Sequence, residues 1–187
     1  FSDRYGPVRL VSLGNIRPVK GYEYLIRSLS KLENGREIEL EIGGRIIDTE
    51  YYHTLLKIIG ELGLEEKVKF AGEISDVGGF LKGHDIFILP SVSEGFSNAL
   101  LEALGTGLPA IATSVGANPE VITDKLTGLI VAPEDEAALA EAIDYLVADG
   151  SRSVCLAAAG RKVVAERYSN QRMCRSLEKL YRDLLEK

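Results

Sequence analysis

The sequence is poor in the residues that build metal centres and disulfide frameworks. It has two cysteines, two histidines, one methionine and no tryptophan among 187 residues. Cys155 and Cys174 form no C-x-x-C pair, and neither they nor His53 and His84 stand at the spacing of metal ligands. We therefore expect reduced thiols, as in a cytoplasmic protein, and structural or surface roles for both histidines.

Long apolar runs and an excess of basic charge are also missing. No apolar stretch approaches the roughly 18–20 residues that span a bilayer, and neither G-x-G-x-x-G nor a Walker A loop occurs. The net charge of −6 argues against a nucleic-acid-binding surface and against non-specific attachment to anionic lipid. It leaves open a small anionic substrate that is held by a few local cations.

Short apolar runs alternate with helical patterns along most of the chain. Runs such as "VRLVSLG" and "DIFILPS" are rich in Val, Ile, Leu and Phe and predict strands covered on both faces. The alternation predicts a Rossmann-like, doubly wound α/β fold, with a parallel sheet of about six strands flanked by helices. From residue 149 only helical patterns remain. We therefore predict one domain over residues 1–187, with an α/β core at 1–148 and a helical tail at 149–187.

The loops that follow the predicted strands are the places where a doubly wound sheet binds ligands. The first of them, "GNIRPVKG" (residues 14–21), carries two cations, Arg17 and Lys20, on either side of the stiffening Pro18. Cations at the carboxyl end of a strand suit a phosphate or a diphosphate. A cation about 4 Å from a phosphate charge contributes about 4 kcal/mol at an effective dielectric constant of about 20, before desolvation. The alternative is a pair of solvated loop cations.

The stretch "SEGFSNALLEALGTGLP" (residues 93–109) places the start of a helix between two acids, Glu94 and Glu102. Ser97 is a suitable N-cap, so that a helix begins directly after it. The unpaired N–H groups and the helix dipole make residues 95–100 a seat for a phosphate or a sugar oxygen. Helical spacing puts Glu102 on the polar side of this helix. There it either contacts water or faces a cleft and accepts hydrogen bonds from a ribose.

Taken in order, these motifs resemble the carboxyl-terminal, donor-binding half of retaining glycosyltransferases with the GT-B fold and the E-x7-E signature. Glu94 and Glu102 match the two acids of that signature, and "EALGTGLP" matches its usual continuation. Further matches are "GNIRPVKG", "VKFAGEIS", "VGANPEVI" and "TGLIVAP", which together span about residues 10–148. The helical tail also fits this family.

The resemblance implies a nucleotide-diphospho-sugar donor, linked to UDP or GDP, and neither a metal nor another cofactor. It gives Arg17 and Lys20 to the diphosphate leaving group, Glu102 to the ribose and Glu94 to the transferred sugar, with Glu94, Arg17 and Lys20 as the catalytic set. Many members have arginine where this chain has Asn15. The other donor-binding positions that the resemblance implies are Gly14, Asn15, Gly44, Arg45, Gly72, Glu73, Ile74, Gly95, Phe96, Ser97, Asn98, Ala99 and Leu100.

The resemblance also implies a longer enzyme, whose N-terminal acceptor-binding domain is the partner of this chain. We expect the isolated chain to bind donor but to transfer little. We expect a cytoplasmic location, at the cytoplasmic face of the membrane if other parts of the full enzyme attach there. The apolar stripe of the final helix, "RMCRSLEKLYRDLLEK" (residues 172–187), is expected to be exposed, to fold on its own domain or to pair with a second copy. Two other functions stay open, a GT-B-type nucleotide-sugar epimerase and a non-catalytic α/β binding module.

Overall fold

A single parallel sheet of six strands forms the centre of the molecule in the computed structural model, which describes residues 6–185. The strands are β1 (Val8–Leu13), β2 (Ile38–Gly43), β3 (Val68–Gly72), β4 (Ile86–Leu89), β5 (Ala110–Thr113) and β6 (Leu129–Val131). They lie in the order β3-β2-β1-β4-β5-β6, and every neighbouring pair is parallel. The predicted doubly wound α/β fold is confirmed. The predicted domain of 1–187 includes residues 1–5 and 186–187, which lie outside the described residues.

Helices connect the strands and continue beyond the sheet. They are α1 (Tyr22–Leu29), α2 (Thr49–Leu62), α3 (Val77–Lys82), α4 (Asn98–Thr106), α5 (Asn118–Val121), α6 (Glu136–Ala148), α7 (Gly150–Arg167) and α8 (Asn170–Leu185), with a short 3-10 helix at Pro18–Lys20. Side-chain caps set several of the starts. Asp48 accepts from the N–H of Tyr51 at the start of α2, and Asp135 accepts from that of Ala138 at the start of α6.

The central strands are buried on both faces, which explains their continuous apolar sequences. Leu10 and Val11 are neighbours in β1 but belong to different hydrophobic clusters, because successive side chains of a strand point to opposite faces. One cluster packs the sheet against α1, α2 and α6, and the other packs it against α3 and α4. These two layers hold the ends of the strands, and therefore the loops that follow them, in fixed positions.

The order of the strands reverses between β1 and β4. The chain leaves β1 towards β2 and β3, whereas it leaves β4 towards β5 and β6. Loops that diverge in this way leave a crevice at the carboxyl ends of the two strands, where doubly wound folds bind ligands. Residues 14–21 follow β1 and residues 90–98 follow β4, so the two loops that the sequence singles out flank this crevice.

The helical tail divides into a packed helix and an exposed one. Helix α7 packs against α4, and a Cβ at Gly160 would lie 2.6 Å from a methyl carbon of Leu104. In α8, by contrast, every side chain from 171 to 185 is exposed. Of the three expected arrangements of its apolar stripe, folding on its own domain is therefore wrong, because the stripe has no surface of the domain against it. Over residues 6–185, no helix is both long and apolar enough to cross a bilayer.

The histidines and cysteines lie away from the crevice. The buried ring of His84 lies between the carbonyl of Phe80, at 2.9 Å, and the carboxylate of Glu41, at 3.0 Å. His53 is exposed on α2, so the predicted structural and surface roles are confirmed. Cys155 and Cys174 are free and exposed on α7 and α8.

Candidate functional site

The loops after β1 and β4 are in direct backbone contact. The N–H of Val92 donates to the carbonyl of Val19 at 2.9 Å. A Cβ at Gly21 would lie 2.2 Å from the carbonyl oxygen of Pro90, and Gly21 has the left-handed φ of 63°. Only glycine allows this approach. The loop with the predicted phosphate-binding cations is thus packed directly on the loop with Glu94.

Lys20 and Glu94 form an ion pair across this junction. The Lys20 Nζ lies 2.7 Å from the Glu94 Oε2, and the two side chains are only 13% and 14% exposed. The hydroxyl of Ser91 donates to the same carboxylate oxygen at 3.1 Å. Ser91 is held in turn by Thr113, whose hydroxyl donates to the Ser91 carbonyl at 2.6 Å. The structure therefore brings together two predicted catalytic residues and fixes the acid with a serine that the sequence analysis did not identify.

A glycine of the loop after β5 supports Glu94 from the other side. A Cβ at Gly116 would lie 1.9 Å from the carbonyl oxygen of Glu94 and 2.7 Å from that of Gly95, and Gly116 has φ of 53°. The N–H of Ala117 donates to the Gly95 carbonyl at 2.9 Å. In the sequence, "VGANPEVI" includes a loop after a predicted strand, where a doubly wound sheet binds ligands, but no residue of it was given a role. Its position after a strand and before a helix was the available signal.

The floor of the crevice is formed by glycine backbone and a buried tyrosine. The hydroxyl of Tyr22 donates to the carbonyl of Gly14 at 2.7 Å. Burial, together with the negative charge of Glu94, raises the pKa of the Tyr22 hydroxyl well above its usual range. A Cβ at Gly44 would lie 2.1 Å from the Gly14 oxygen. The close approach of β1 and β2 at their carboxyl ends therefore requires glycine at position 44.

A groove of about 220 Å³ opens from this floor between β1, β2 and the start of α4. Glu102 is exposed and lines it, which favours the cleft-facing alternative for this acid. At the opposite wall, Arg45 pairs with Glu73 at 3.4 Å, and the Arg45 N–H donates to the Asn15 side-chain oxygen at 3.3 Å. The lining consists of Leu13, Gly14, Asn15, Gly43, Gly44, Arg45, Glu73, Ile74, Val77, Ala99 and Glu102.

The start of α4 lies between the groove and the ion pair. Ser97 is its N-cap, as predicted, and its side chain accepts from the N–H of Leu100 at 3.3 Å. Because that N–H is engaged and the Leu100 side chain is buried in the core, Leu100 has no polar group for a ligand. Within residues 6–185, the N–H groups of Asn98 and Ala99 have no hydrogen-bond acceptor. The anion seat at this helix is therefore shorter than predicted.

Arg17, Phe96 and Gly72 are among the predicted positions that do not line the groove. Arg17 is exposed at the start of the 3-10 helix. Phe96 is 47% exposed, with its ring against Tyr168. Gly72 contributes backbone, accepting a hydrogen bond from the N–H of Gly44 at 2.7 Å. In residues 6–185, no three His, Cys, Asp or Glu side chains cluster in a way that suits a metal ion.

Comparisons with known proteins identify the family to which this fold belongs. Residues 4–163 match the family model described as glycosyl transferases group 1. The N-acetyl-alpha-D-glucosaminyl L-malate synthase of Bacillus anthracis is 28% identical over 176 residues, which cover 94% of this chain and 45% of that protein. The chain thus spans about half the length of the curated relatives it matches.

Solved structures show the same relationship. A glycosyltransferase from Rickettsia africae superposes with a TM-score of 0.92 at 26% identity, over 98% of this chain and 49% of its own. The C-terminal domain of a glycosyl transferase group 1 family protein from Francisella tularensis gives 0.81 at 25% identity, over 88% of each chain. Anabaena HepE, solved with UDP and glucose, gives 0.87 at 23% identity over 93% and 49%, a likeness of fold.

The fold is that of the carboxyl-terminal half of a GT-B glycosyltransferase. The chain belongs to the glycosyl transferases group 1 family. The names of these relatives favour the predicted glycosyltransferase over an epimerase or a non-catalytic module.

Proposed function

We propose that this chain binds a nucleotide-diphospho-sugar and is the donor half of an enzyme that transfers the sugar with retention of configuration. The single observation that carries the proposal is the Lys20–Glu94 ion pair at the strand-order reversal, beside a groove that Glu102 lines. A cation, a helix start and two carboxylates at one crevice suit a ligand with a diphosphate between two sugars. The solved complex of HepE with UDP and glucose supports a UDP-linked donor, with a GDP-linked donor as the alternative.

Each part of the donor has a candidate partner. Lys20 and the exposed Arg17 would neutralise the diphosphate, together with the free N–H groups at the start of α4. Glu94 would accept hydrogen bonds from the transferred sugar, and Glu102 from the ribose. The base would lie in the groove between Gly44 and Ile74. No metal is needed in this scheme, because cationic side chains and a helix terminus occupy the place of one.

The chemistry that these groups support is departure of the diphosphate. The bond between the anomeric carbon and the diphosphate oxygen breaks, and its electron pair remains on the diphosphate. The oxygen of the acceptor hydroxyl forms the new bond to the anomeric carbon on the face that the diphosphate leaves, and its proton passes to the departing diphosphate oxygen. Positive charge beside the developing diphosphate charge lowers the barrier to this step, since preorganised charge is more effective in the transition state than in the ground state. Lys20 and Arg17 are therefore the residues that we assign to the leaving group.

The acceptor side of the crevice is proposed to come from the half of the parent enzyme that lies outside this chain. The apolar stripe of α8 is unoccupied by its own domain, and its side chains are 43–87% exposed: Met173, Leu177, Leu180, Tyr181, Leu184 and Leu185. The chain covers about half of its relatives, so a second half is available to cover this stripe. We expect the chain alone to bind donor and to transfer little, and to remain monomeric. Concentration-dependent sedimentation would instead assign the stripe to a second copy.

Thermal unfolding with UDP, GDP and ADP, followed by their sugars, tests the proposal. A ligand at about 100 times its dissociation constant adds about 2.7 kcal/mol. For a chain of this size that corresponds to a rise in Tm of about 5–11 °C. Lys20→Ala should lose the response, and Lys57→Ala, which removes a lysine on the exposed surface of α2, should keep it. If no nucleotide raises the Tm, the proposed function is wrong.

A further inference from the structure

An aromatic contact joins the loop that carries Glu94 to the end of α7. The ring centroids of Phe96 and Tyr168 are 5.8 Å apart, and the rings are inclined by 49°. This separation lies in the range of about 4.5–7 Å at which aromatic pairs attract each other. The Tyr168 ring also packs at the edge of the hydrophobic cluster beneath α4. Phe96, at the exposed tip of the loop, is therefore tied to a ring that the core holds in place.

A second connection reaches the same loop from behind. The hydroxyl of Tyr168 donates to the carbonyl of Glu120 at 3.1 Å, and Glu120 belongs to α5. The N–H of Ala117, immediately before α5, donates to the Gly95 carbonyl. One tyrosine thus contacts the loop through its ring and, with its hydroxyl, fixes the short helix that supports the loop.

Tyr168 also stands where the packed part of the tail gives way to the exposed part. It follows the last residue of α7, and its N–H donates to the Val164 carbonyl at 3.0 Å. Helix α8 begins two residues later and is exposed over its described side chains. Tyr168 therefore lies at the boundary between the packed and the exposed helix of the tail. It also contacts Phe96 in the loop that carries Glu94.

We propose that Tyr168 is a positioning residue that holds the loop of Glu94, Gly95 and Phe96 in the geometry that receives the transferred sugar. This inference rests on the proposed function. It predicts a selective effect: the sugar contact depends on Tyr168, whereas the nucleotide contacts of Lys20 and Glu102 do not.

The test compares Tyr168→Ala and Tyr168→Phe with Tyr181→Ala, a control on the exposed face of α8. Amide hydrogen exchange is followed over residues 94–98, and calorimetry gives Kd for UDP and for UDP-glucose. Tyr168→Ala should speed exchange in the loop and weaken UDP-glucose by about two- to tenfold, the factor expected for one aromatic pair, while Kd for UDP changes less than about twofold. Tyr168→Phe keeps the ring and should restore most of both properties, and Tyr181→Ala should match the parent.

The outcomes separate this inference from the proposed function. Unchanged exchange over residues 94–98 in Tyr168→Ala overturns the positioning role, whether or not any nucleotide binds. Equal weakening of UDP and UDP-glucose also overturns it, because that result indicates a general loss of structure. Binding of neither ligand to the parent chain contradicts the proposed function instead, and the exchange data then decide the role of Tyr168 alone.

Discussion

Lys20 and Glu94 are 74 positions apart in the sequence, yet their side chains meet at 2.7 Å. The family resemblance gives the lysine to the diphosphate and the acid to the sugar. The two groups pair in a mostly buried position. A diphosphate must therefore compete with Glu94 for Lys20, and a sugar hydroxyl must compete with Lys20 for Glu94. Several predictions about binding and stability rest on this pair.

Removing the charge of Glu94 should change the affinity for UDP and the affinity for UDP-sugars differently. We expect Glu94→Gln to bind UDP about three- to tenfold more tightly. The Glu94 carboxylate then no longer competes with the diphosphate for Lys20. The same variant should gain less, or lose affinity, for UDP-sugars, since the amide is a weaker acceptor for sugar hydroxyls. Calorimetric titration measures both constants. Glu102→Gln is the matched control, and it should weaken UDP. Equal or weaker UDP binding by Glu94→Gln would show that the acid does not compete for Lys20.

Removing Lys20 should cost stability as well as binding. Lys20→Met leaves the Glu94 carboxylate with only the Ser91 hydroxyl in a mostly buried position, and we expect a loss of about 1–3 kcal/mol in the free energy of unfolding. Urea unfolding provides the measurement. The double variant Lys20→Met with Glu94→Gln should recover much of that loss, because no unpaired charge then remains. Additive losses in the double variant would contradict a direct pair.

The backbone contact behind Glu94 should tolerate no side chain. In Gly116→Ala the new Cβ would lie 1.9 Å from the Glu94 carbonyl oxygen. We expect it to lower the free energy of unfolding by more than the roughly 1–2 kcal/mol that a left-handed φ alone costs, and to weaken donor binding. Gly35→Ala is the control, since Gly35 has a similar φ of 67° and open space around it. An equal decrease in the free energy of unfolding in the two variants would mean that the loop of Glu94 moves to accommodate the new Cβ.

Tyr22 should make stability depend on pH on the alkaline side. Its pKa is raised by burial and by Glu94 above the ordinary value of 10.0. Below pH 10.0 both the folded and the unfolded chain keep the Tyr22 proton, so the full contribution of Tyr22 to the free energy of unfolding is present. As the pH rises past it, the unfolded chain loses the proton first, and the free energy of unfolding falls by up to about 1.4 kcal/mol per pH unit. Urea unfolding between about pH 8 and pH 11 should show a shallower fall for Tyr22→Phe than for Tyr145→Phe, an exposed control. Identical slopes would exclude Tyr22 as the source.

Local sequence patterns were sufficient to predict the fold. Apolar runs such as Ile86–Leu89, stopped by Pro90, identified the strands, and the Ser97 N-cap identified the start of α4. These signals depend on residues within one or two turns of each other, so they can be read without the tertiary structure. The doubly wound fold that such alternation favours implies a reversal of strand order, and the structure places that reversal between β1 and β4.

The contacts between distant loops could not be predicted in the same way. Nothing near Lys20 in the sequence indicates that Glu94 is its partner, and nothing near Phe96 points to Tyr168. Helical spacing could not decide whether Glu102 contacts water or faces a cleft, because it describes one helix without its neighbours. In the structure Glu102 lines a groove opposite Gly44 and Arg45, which lie in the loop after β2, and this position favours the cleft. Leu100 was predicted to contact the donor because it lies in the motif. In the structure its N–H donates to the Ser97 side chain instead.

The most direct test of the whole account is a crystal structure of the chain soaked with UDP at saturating concentration. We expect the diphosphate to lie within hydrogen-bonding distance of Lys20 and of the first N–H groups of α4. We expect the ribose hydroxyls to contact Glu102 and the base to lie in the groove at Gly44 and Ile74. The distance between Lys20 Nζ and Glu94 Oε2 should lengthen from 2.7 Å. UDP bound elsewhere, with Lys20 and Glu94 still paired and the groove empty, would contradict it.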